Sequence, residues 1–104
     1  MELRISEASD WQLFDVIAQT LEQGLKGSWV TKLDGPDQRY WDLAIDDQTI
    51  TLHLEHYLGI SMLIPHEGQS QDLLTNLGAR AYLLLDPHLT ESVRQDWSRY
   101  TGAA

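Results

Sequence analysis

Apolar and polar residues alternate in some parts of the chain and recur at helical spacing in others. Residues 2–6 alternate strictly, which predicts a short N-terminal strand. The next apolar residues are three or four positions apart and form one helical stripe: Phe14, Ile17, Ala18, Leu21 and Leu25. Ser9 is expected to cap this helix, and Gly24 or Gly27 is expected to end it in the left-handed conformation.

The middle third of the chain has the short alternating segments and turn residues of an antiparallel sheet. Gly35 and Pro36 indicate a tight turn, because Gly frees φ and Pro fixes it, and the Asp-Asp pair at 46–47 indicates another. The last of the alternating segments, residues 57–64, is rich in apolar residues, which predicts a strand inside the sheet. Four strands are predicted from this pattern: residues 28–33, 39–45, 48–55 and 57–64.

Two further helices are predicted to follow the sheet. The first spans residues 70–85, although the apolar run at its end, residues 79–86, also fits a strand. Thr90 is expected to cap the second helix, in which Val93 and Trp97 lie one turn apart and would pack on the core.

The order of these elements, β-α-β-β-β-β-α-α, predicts an α+β fold. We expect a single domain over residues 1–104, with an antiparallel sheet of four to five strands and two to three helices packed on one face. The chain has no cysteine, which excludes disulfides and thiolate metal sites. Its N-terminus lacks the features of a signal peptide, and no segment approaches the roughly 20 apolar residues of a membrane span. A cytoplasmic location is therefore expected.

The net charge of the chain limits the classes of partner that it is expected to bind. Sixteen Asp and Glu residues against seven Lys and Arg residues give a formal net charge of −9. Such a surface repels the phosphates of nucleic acids and anionic membranes, so neither is an expected partner. A basic protein would instead be attracted and its association accelerated. Solubility alone also explains an acidic composition.

Six acids are concentrated within 22 residues of the predicted sheet, where Arg39 is the one arginine or lysine. A hairpin would bring several of them to one edge, where they either dock a basic partner or simply prevent aggregation of the sheet. Calcium is disfavoured, because the spacing of an EF-hand loop is absent. The six acids are Asp34, Asp37, Asp42, Asp46, Asp47 and Glu55.

A second group of polar residues lies on the fourth predicted strand and just beyond it. His53, Glu55 and Tyr57 alternate and should share one face of the sheet, whereas His56 should face the other way. Three interpretations stay open: an ordinary polar sheet face, a protein-binding face, and an acid–base or zinc site. Motifs of phosphate loops, nucleophile elbows and dinucleotide sites are absent, so the sequence predicts neither an enzyme nor a cofactor.

The aromatic residues are a third feature, and they are compatible with a protein-binding face. Tyr40 and Trp41 are adjacent on a predicted strand and must point to opposite faces, so at least one of them should be exposed. Exposed Tyr and Trp side chains beside acids are typical of the residues that contribute most to protein–protein binding.

The stretch LDGPDQRYWDLAIDDQTITLHLEHYLGISMLIP resembles small bacterial immunity proteins of contact-dependent inhibition and related polymorphic toxin systems. The resemblance lies in the Asp-Gly turn, in the Trp41-Asp42 pair and in the run from Leu52 to Ile60. It implies a cytoplasmic protein that binds and neutralises one cognate toxin domain, often a nuclease. An acidic inhibitor of a basic nuclease is physically reasonable, because it competes with nucleic acid for the same positive charge.

The resulting hypothesis is an acidic immunity-type protein with a basic toxin as its partner. The alternatives are a small metal-dependent or His/Glu acid–base enzyme and a homodimeric regulatory domain; no oligomeric state is predicted. Charge and exposure arguments select the candidate partner-binding residues, with no catalytic residue and no metal ligand among them: Asp34, Asp37, Tyr40, Trp41, Asp42, Asp46, Asp47, His53, Glu55 and Tyr57.

Overall fold

A computed structural model describes residues 2–46, 48–64 and 71–101 of the chain. These residues form five strands and three α-helices, which confirms the predicted α+β class and antiparallel sheet. A short 3₁₀ turn, Asp86–His88, joins the last two helices. In chain order the elements are β1 (Glu2–Ser6), α1 (Trp11–Leu25), β2 (Ser28–Asp34), β3 (Gln38–Ile45), β4 (Gln48–Glu55), β5 (Gly59–Leu63), α2 (Gln71–Leu85) and α3 (Glu91–Thr101).

The strands are arranged in the order β1-β5-β4-β3-β2, and every neighbouring pair is antiparallel. β2 to β5 form consecutive hairpins, and β1 then pairs with β5 from the far end of the sequence. β5 therefore lies inside the sheet, as its apolar composition predicts. The register of β2 with β3 shifts between Trp29 and Thr31, which marks a bulge near the start of β2.

The ends of α1 differ from the prediction. Asp10, not Ser9, caps the helix: its Oδ1 accepts hydrogen bonds from the backbone N–H groups of Gln12 (3.0 Å) and Leu13 (3.1 Å). Lys26, not a glycine, adopts the left-handed conformation, with φ 57°, at the C-terminus. Gly24 serves close packing instead, because a Cβ there would lie 2.4 Å from the side chain of Leu84 on α2.

The strand predicted at residues 57–64 is shorter in the structure. A turn closed by the Leu58 N–H donating to the Glu55 carbonyl (3.1 Å) delays the strand to Gly59. Tyr57 therefore lies in this turn and not on the strand face predicted for it.

One apolar core lies between the helices and one side of the sheet. Ile50, Leu52 and Leu54 alternate on β4 and are fully buried in it. Residues from all three helices belong to the same core, so the described helices pack on this one side of the sheet. Residues 79–85 are helical, so the alternative prediction of a strand there is wrong. Val93 and Trp97 of α3 are buried as predicted, and Thr90 caps that helix.

Gly59 supplies a direct test of this architecture. Its φ is +85°, and a Cβ there would lie 2.1 Å from the carbonyl oxygen of Ser6, where β1 ends. We expect Gly59→Ala to lower the free energy of unfolding by at least about 2 kcal/mol, because both the strained φ and the steric overlap oppose the substitution. Gly35→Ala is the matched control: its Cβ would have ordinary contacts at 3.5 and 3.6 Å. Urea denaturation measures both, and equal effects would contradict the close approach of Gly59 to β1.

Candidate functional site

The two sides of the sheet differ in what covers them. We call the side on which the described helices pack the helix side, and the other the open side. Strand alternation assigns Arg39, Trp41 and Leu43 of β3 to the helix side, with Leu43 in the core. It assigns Tyr40 and Asp42 to the open side.

Arg39 is the centre of a charged and aromatic cluster on the helix side. Its Nη1 lies 2.8 Å from Asp15 Oδ1 on α1, and its Nε lies 3.2 Å from Asp34 Oδ1 on β2. The guanidinium carbon is 4.6, 5.0 and 4.7 Å from the ring centres of three aromatic residues, within range of cation–π attraction. The three rings belong to Trp11, Phe14 and Trp41.

The same cluster holds the other cation of the β2–β3 hairpin. The Nζ of Lys32 lies 4.5 Å from the centre of the Trp41 ring, and the Trp41 Nε1 donates a 2.7 Å hydrogen bond to Asp34. Both cations of the hairpin are thus held on the helix side. Asp34 and Trp41 are two of the candidate binding residues. Both belong to this cluster on the helix side and do not face the open side.

The open side of β2, β3 and β4 therefore has acids without cations. Along these three strands, the open-side residues include Asp42 and Glu55 but no Lys or Arg. Asp42 accepts a 2.7 Å hydrogen bond from the Thr51 hydroxyl on β4. The Thr51 hydroxyl is neutral and does not offset the charge of Asp42, whereas Arg39 offsets that of Asp34.

Tyr40, His53 and Leu33 form a row across the open side. Cross-strand pairing places Leu33 beside Tyr40 and Tyr40 beside His53. The Tyr40 and His53 rings are stacked, with centres 4.2 Å apart and planes 13° apart. Leu33 is 62% exposed although it is a large apolar residue. The row therefore presents an apolar and aromatic surface beside the two carboxylates.

The His53 side chain is largely buried beneath its neighbours. Its Nε2 lies 3.8 Å from Glu55 Oε2, which is too long for a hydrogen bond. Within the described part of the chain, no three His, Asp or Glu side chains form a group that could hold a metal ion. His53 thus supports the stacked Tyr40 ring from the neighbouring strand.

Two turns extend this surface at one end of the sheet. The backbone N–H of His56 donates a 3.0 Å hydrogen bond to the carbonyl of Asp37, so the β2–β3 and β4–β5 turns are in contact. Tyr57 projects from the second turn and is 88% exposed. Asp46 lies in the β3–β4 turn at the opposite end, and Asp47 lies outside the described residues.

The structure thus divides the ten predicted residues among separate places. Tyr40, Asp42, His53 and Glu55 share the open side, and Asp37 and Tyr57 lie at its adjacent end. We call the following set the open-side surface: Leu33, Asp37, Tyr40, Asp42, His53, Glu55 and Tyr57. The sequence does not predict Leu33 as part of this surface. Its exposure follows from the edge position of β2, which the sequence alone does not reveal.

Comparison with known proteins places the chain in a family. A protein-family model with the description "Protein of unknown function (DUF3630)" matches residues 1–80. The chain belongs to the DUF3630 family. The matched segment contains α1 and all five strands, so the open-side surface lies within the DUF3630 region. No curated protein and no solved structure matches this DUF3630 chain.

None of the described helices of this DUF3630 protein combines the length and the apolar character needed to cross a bilayer.

The Arg39 cluster leads to a prediction about stability. We expect Arg39→Ala to lower the free energy of unfolding by about 2–3 kcal/mol, because three rings lose a packed cation and two carboxylates lose their partner. Arg94→Ala is the control: Arg94 also contacts two carboxylates, but its side chain is 37% exposed, against 14% for Arg39. Arg94→Ala should lower the free energy of unfolding by less than about 1 kcal/mol. Thermal and urea unfolding compare the two, and an Arg39→Ala effect no larger than the control would show that the cluster is not stabilising.

Proposed function

We propose that this chain is an acidic immunity-type protein, which binds and neutralises a cognate basic toxin domain through its open-side surface. The observation that carries the proposal is the separation of charge across the sheet. Lys32 and Arg39 are held on the helix side by aromatic rings, and Asp42 and Glu55 remain on the open side of β2 to β4. On the described open side, Glu2, Asp42 and Glu55 outnumber Arg4 of β1, so this side is the one that attracts a cation.

The mixed chemistry of the surface supports a protein as the partner. Tyr40 offers a ring already held in place by stacking on His53, so little side-chain entropy is lost when a partner packs on it. Leu33 adds exposed apolar area beside that ring. Aromatic anchors surrounded by polar groups are typical of binding hot spots. Small ions would gain nothing from these apolar groups.

The carboxylates of the open-side surface contribute to selectivity and to the association rate. Asp42 and Glu55 can each accept charge-assisted hydrogen bonds from Arg or Lys of a partner. The net charge of −9 adds a long-range attraction, which raises the association rate of a basic partner at low salt. A toxin that binds nucleic acid has the complementary positive surface, and an acidic inhibitor on that surface blocks the substrate.

Only part of the predicted acidic cluster contributes to this surface. Asp34 is neutralised on the helix side, and Asp46 lies at the far end of the sheet. We therefore expect the net charge to raise the association rate, and Asp42 and Glu55 to make the specific contacts with the partner.

Charge reversal on and off the surface tests the proposal. The partner is first captured from the native host with the full chain, identified by mass spectrometry and purified. We expect Glu55→Lys to slow its association about tenfold or more at low ionic strength, because a repulsive charge replaces an attractive one at the docking site. Asp96→Lys on α3 changes the net charge equally at an exposed position outside this surface, and should slow association less than about threefold. Stopped-flow mixing measures both rates.

Salt and activity complete this test. The difference between the two variants should shrink in about 0.5 M salt, where the Debye length falls to a few ångströms. The captured protein should be toxic when expressed alone and harmless when expressed with the parent chain. A captured partner that is acidic, or that is not toxic, contradicts the proposal. Equal rates for the two variants would remove the open side as the docking site.

A further inference from the structure

The two edges of the sheet are not equivalent. At one edge, the carbonyl of Arg4 on β1 accepts a hydrogen bond from Trp97 Nε1, so α3 covers part of that strand. At the other edge lies β2, which among the described residues pairs with β3 alone. Two large apolar side chains of β2, Val30 and Leu33, are 63% and 62% exposed. An edge strand with exposed apolar side chains is a template for another strand.

The usable part of this edge is the second half of β2. The bulge between Trp29 and Thr31 interrupts the first half. From Thr31 to Asp34 the pairing with β3 is regular, one residue to one residue. Lysine on an edge strand normally hinders strand addition, but Lys32 is drawn over the Trp41 ring on the helix side. Four residues of regular strand are therefore available.

Charge distinguishes between the possible occupants. A second copy of this chain would bring another net charge of −9 to the same edge, and the two copies would repel each other. A segment rich in Lys or Arg would be attracted. Its cation opposite Thr31 would extend over that small residue towards Asp42, the cross-strand partner of Thr31. An apolar residue opposite Leu33 would continue the row of Leu33 and Tyr40.

We propose that an extended basic segment of the partner pairs with Thr31–Asp34 of β2 as a sixth strand of the sheet. This inference rests on the proposed function, because the added strand would belong to the same basic partner that binds the open-side surface. Backbone hydrogen bonds along β2 provide affinity, and alternate side chains of the added strand contact Leu33 and the acids of the open side.

A synthetic peptide tests strand addition without the toxin. The probe is an extended peptide of about ten residues made of valine, threonine and lysine, and its control has the same sequence with consecutive backbone amides N-methylated. Added to the full-length chain, the probe should slow hydrogen exchange of β2 amides in NMR spectra. The N-methylated peptide keeps the charge but cannot donate ladder hydrogen bonds from either edge, so we expect it to bind at least about tenfold more weakly.

Matched variants locate the binding. Leu33→Lys places a charge on the open side of the edge strand and should weaken probe binding about tenfold. Leu83→Lys changes an equally apolar residue, 75% exposed on α2, and should leave binding unchanged. Equal binding of the two peptides, protection of amides away from β2, or equal effects of the two variants would overturn the inference. Sedimentation showing a dimer that Leu33→Lys disrupts would overturn it in favour of a second copy.

The inference and the proposed function fail in distinguishable ways. If the captured toxin binds with the expected dependence on Glu55 but the exchange of β2 amides in that complex is unchanged, strand addition is wrong and the proposed function stands. If the peptide protects β2 but no basic toxin binds the chain, the proposed function is wrong and the edge remains a site for basic strands.

Discussion

The attraction between the Arg39 guanidinium and the surrounding rings is the constraint on which the rest of the structure depends. It joins the N-terminal turn of α1 to the β2–β3 hairpin, since Trp11 and Phe14 belong to the helix and Trp41 to the sheet. Asp15 and Asp34 approach the same cation from these two elements. A single side chain thus combines packing, cation–π attraction and ion pairing where the helix layer meets the edge of the sheet. Its replacement would affect all three contributions together.

The same interaction determines how charge is distributed over the molecule. A positive side chain on the open side of β2 to β4 would partly cancel the field of Asp42 and Glu55. Because strand alternation and the aromatic rings keep Arg39 and Lys32 on the helix side, the open side of β2 to β4 keeps an acidic character. The stability of the hairpin and the character of its outer surface therefore have a common cause. We regard this coupling as the physical basis of the binding role proposed for this DUF3630 protein.

Most of the fold could be predicted from the sequence because it follows from local patterns. The alternation on β4 and the apolar stripe of α1 each specify an element and the face that it buries. The helix termini were less predictable: Ser9 and Asp10 are both good caps, and only the backbone geometry selects Asp10. The strand predicted to start at Tyr57 begins later because a turn that the apolar pattern does not show precedes it.

The candidate site could be predicted only in part, because it depends on pairing between distant segments. Alternation correctly placed His53 and Glu55 together and Tyr40 opposite Trp41. It could not show that Asp34 and Arg39 face each other across the hairpin, which removes one acid from the surface. Nor could it identify β2 as an edge strand, which follows from the long-range pairing of β1 with β5.

That long-range pairing also has a consequence for how the chain folds. β1 precedes its partner β5 by more than fifty residues, with Glu2 opposite Leu63. Until β1 arrives, the β5 side of the hairpins is an unpaired strand rich in apolar residues, and such edges promote association between chains. Closing so long a loop is slow compared with forming hairpins. Docking of β1 therefore covers the apolar edge of β5 and completes the sheet.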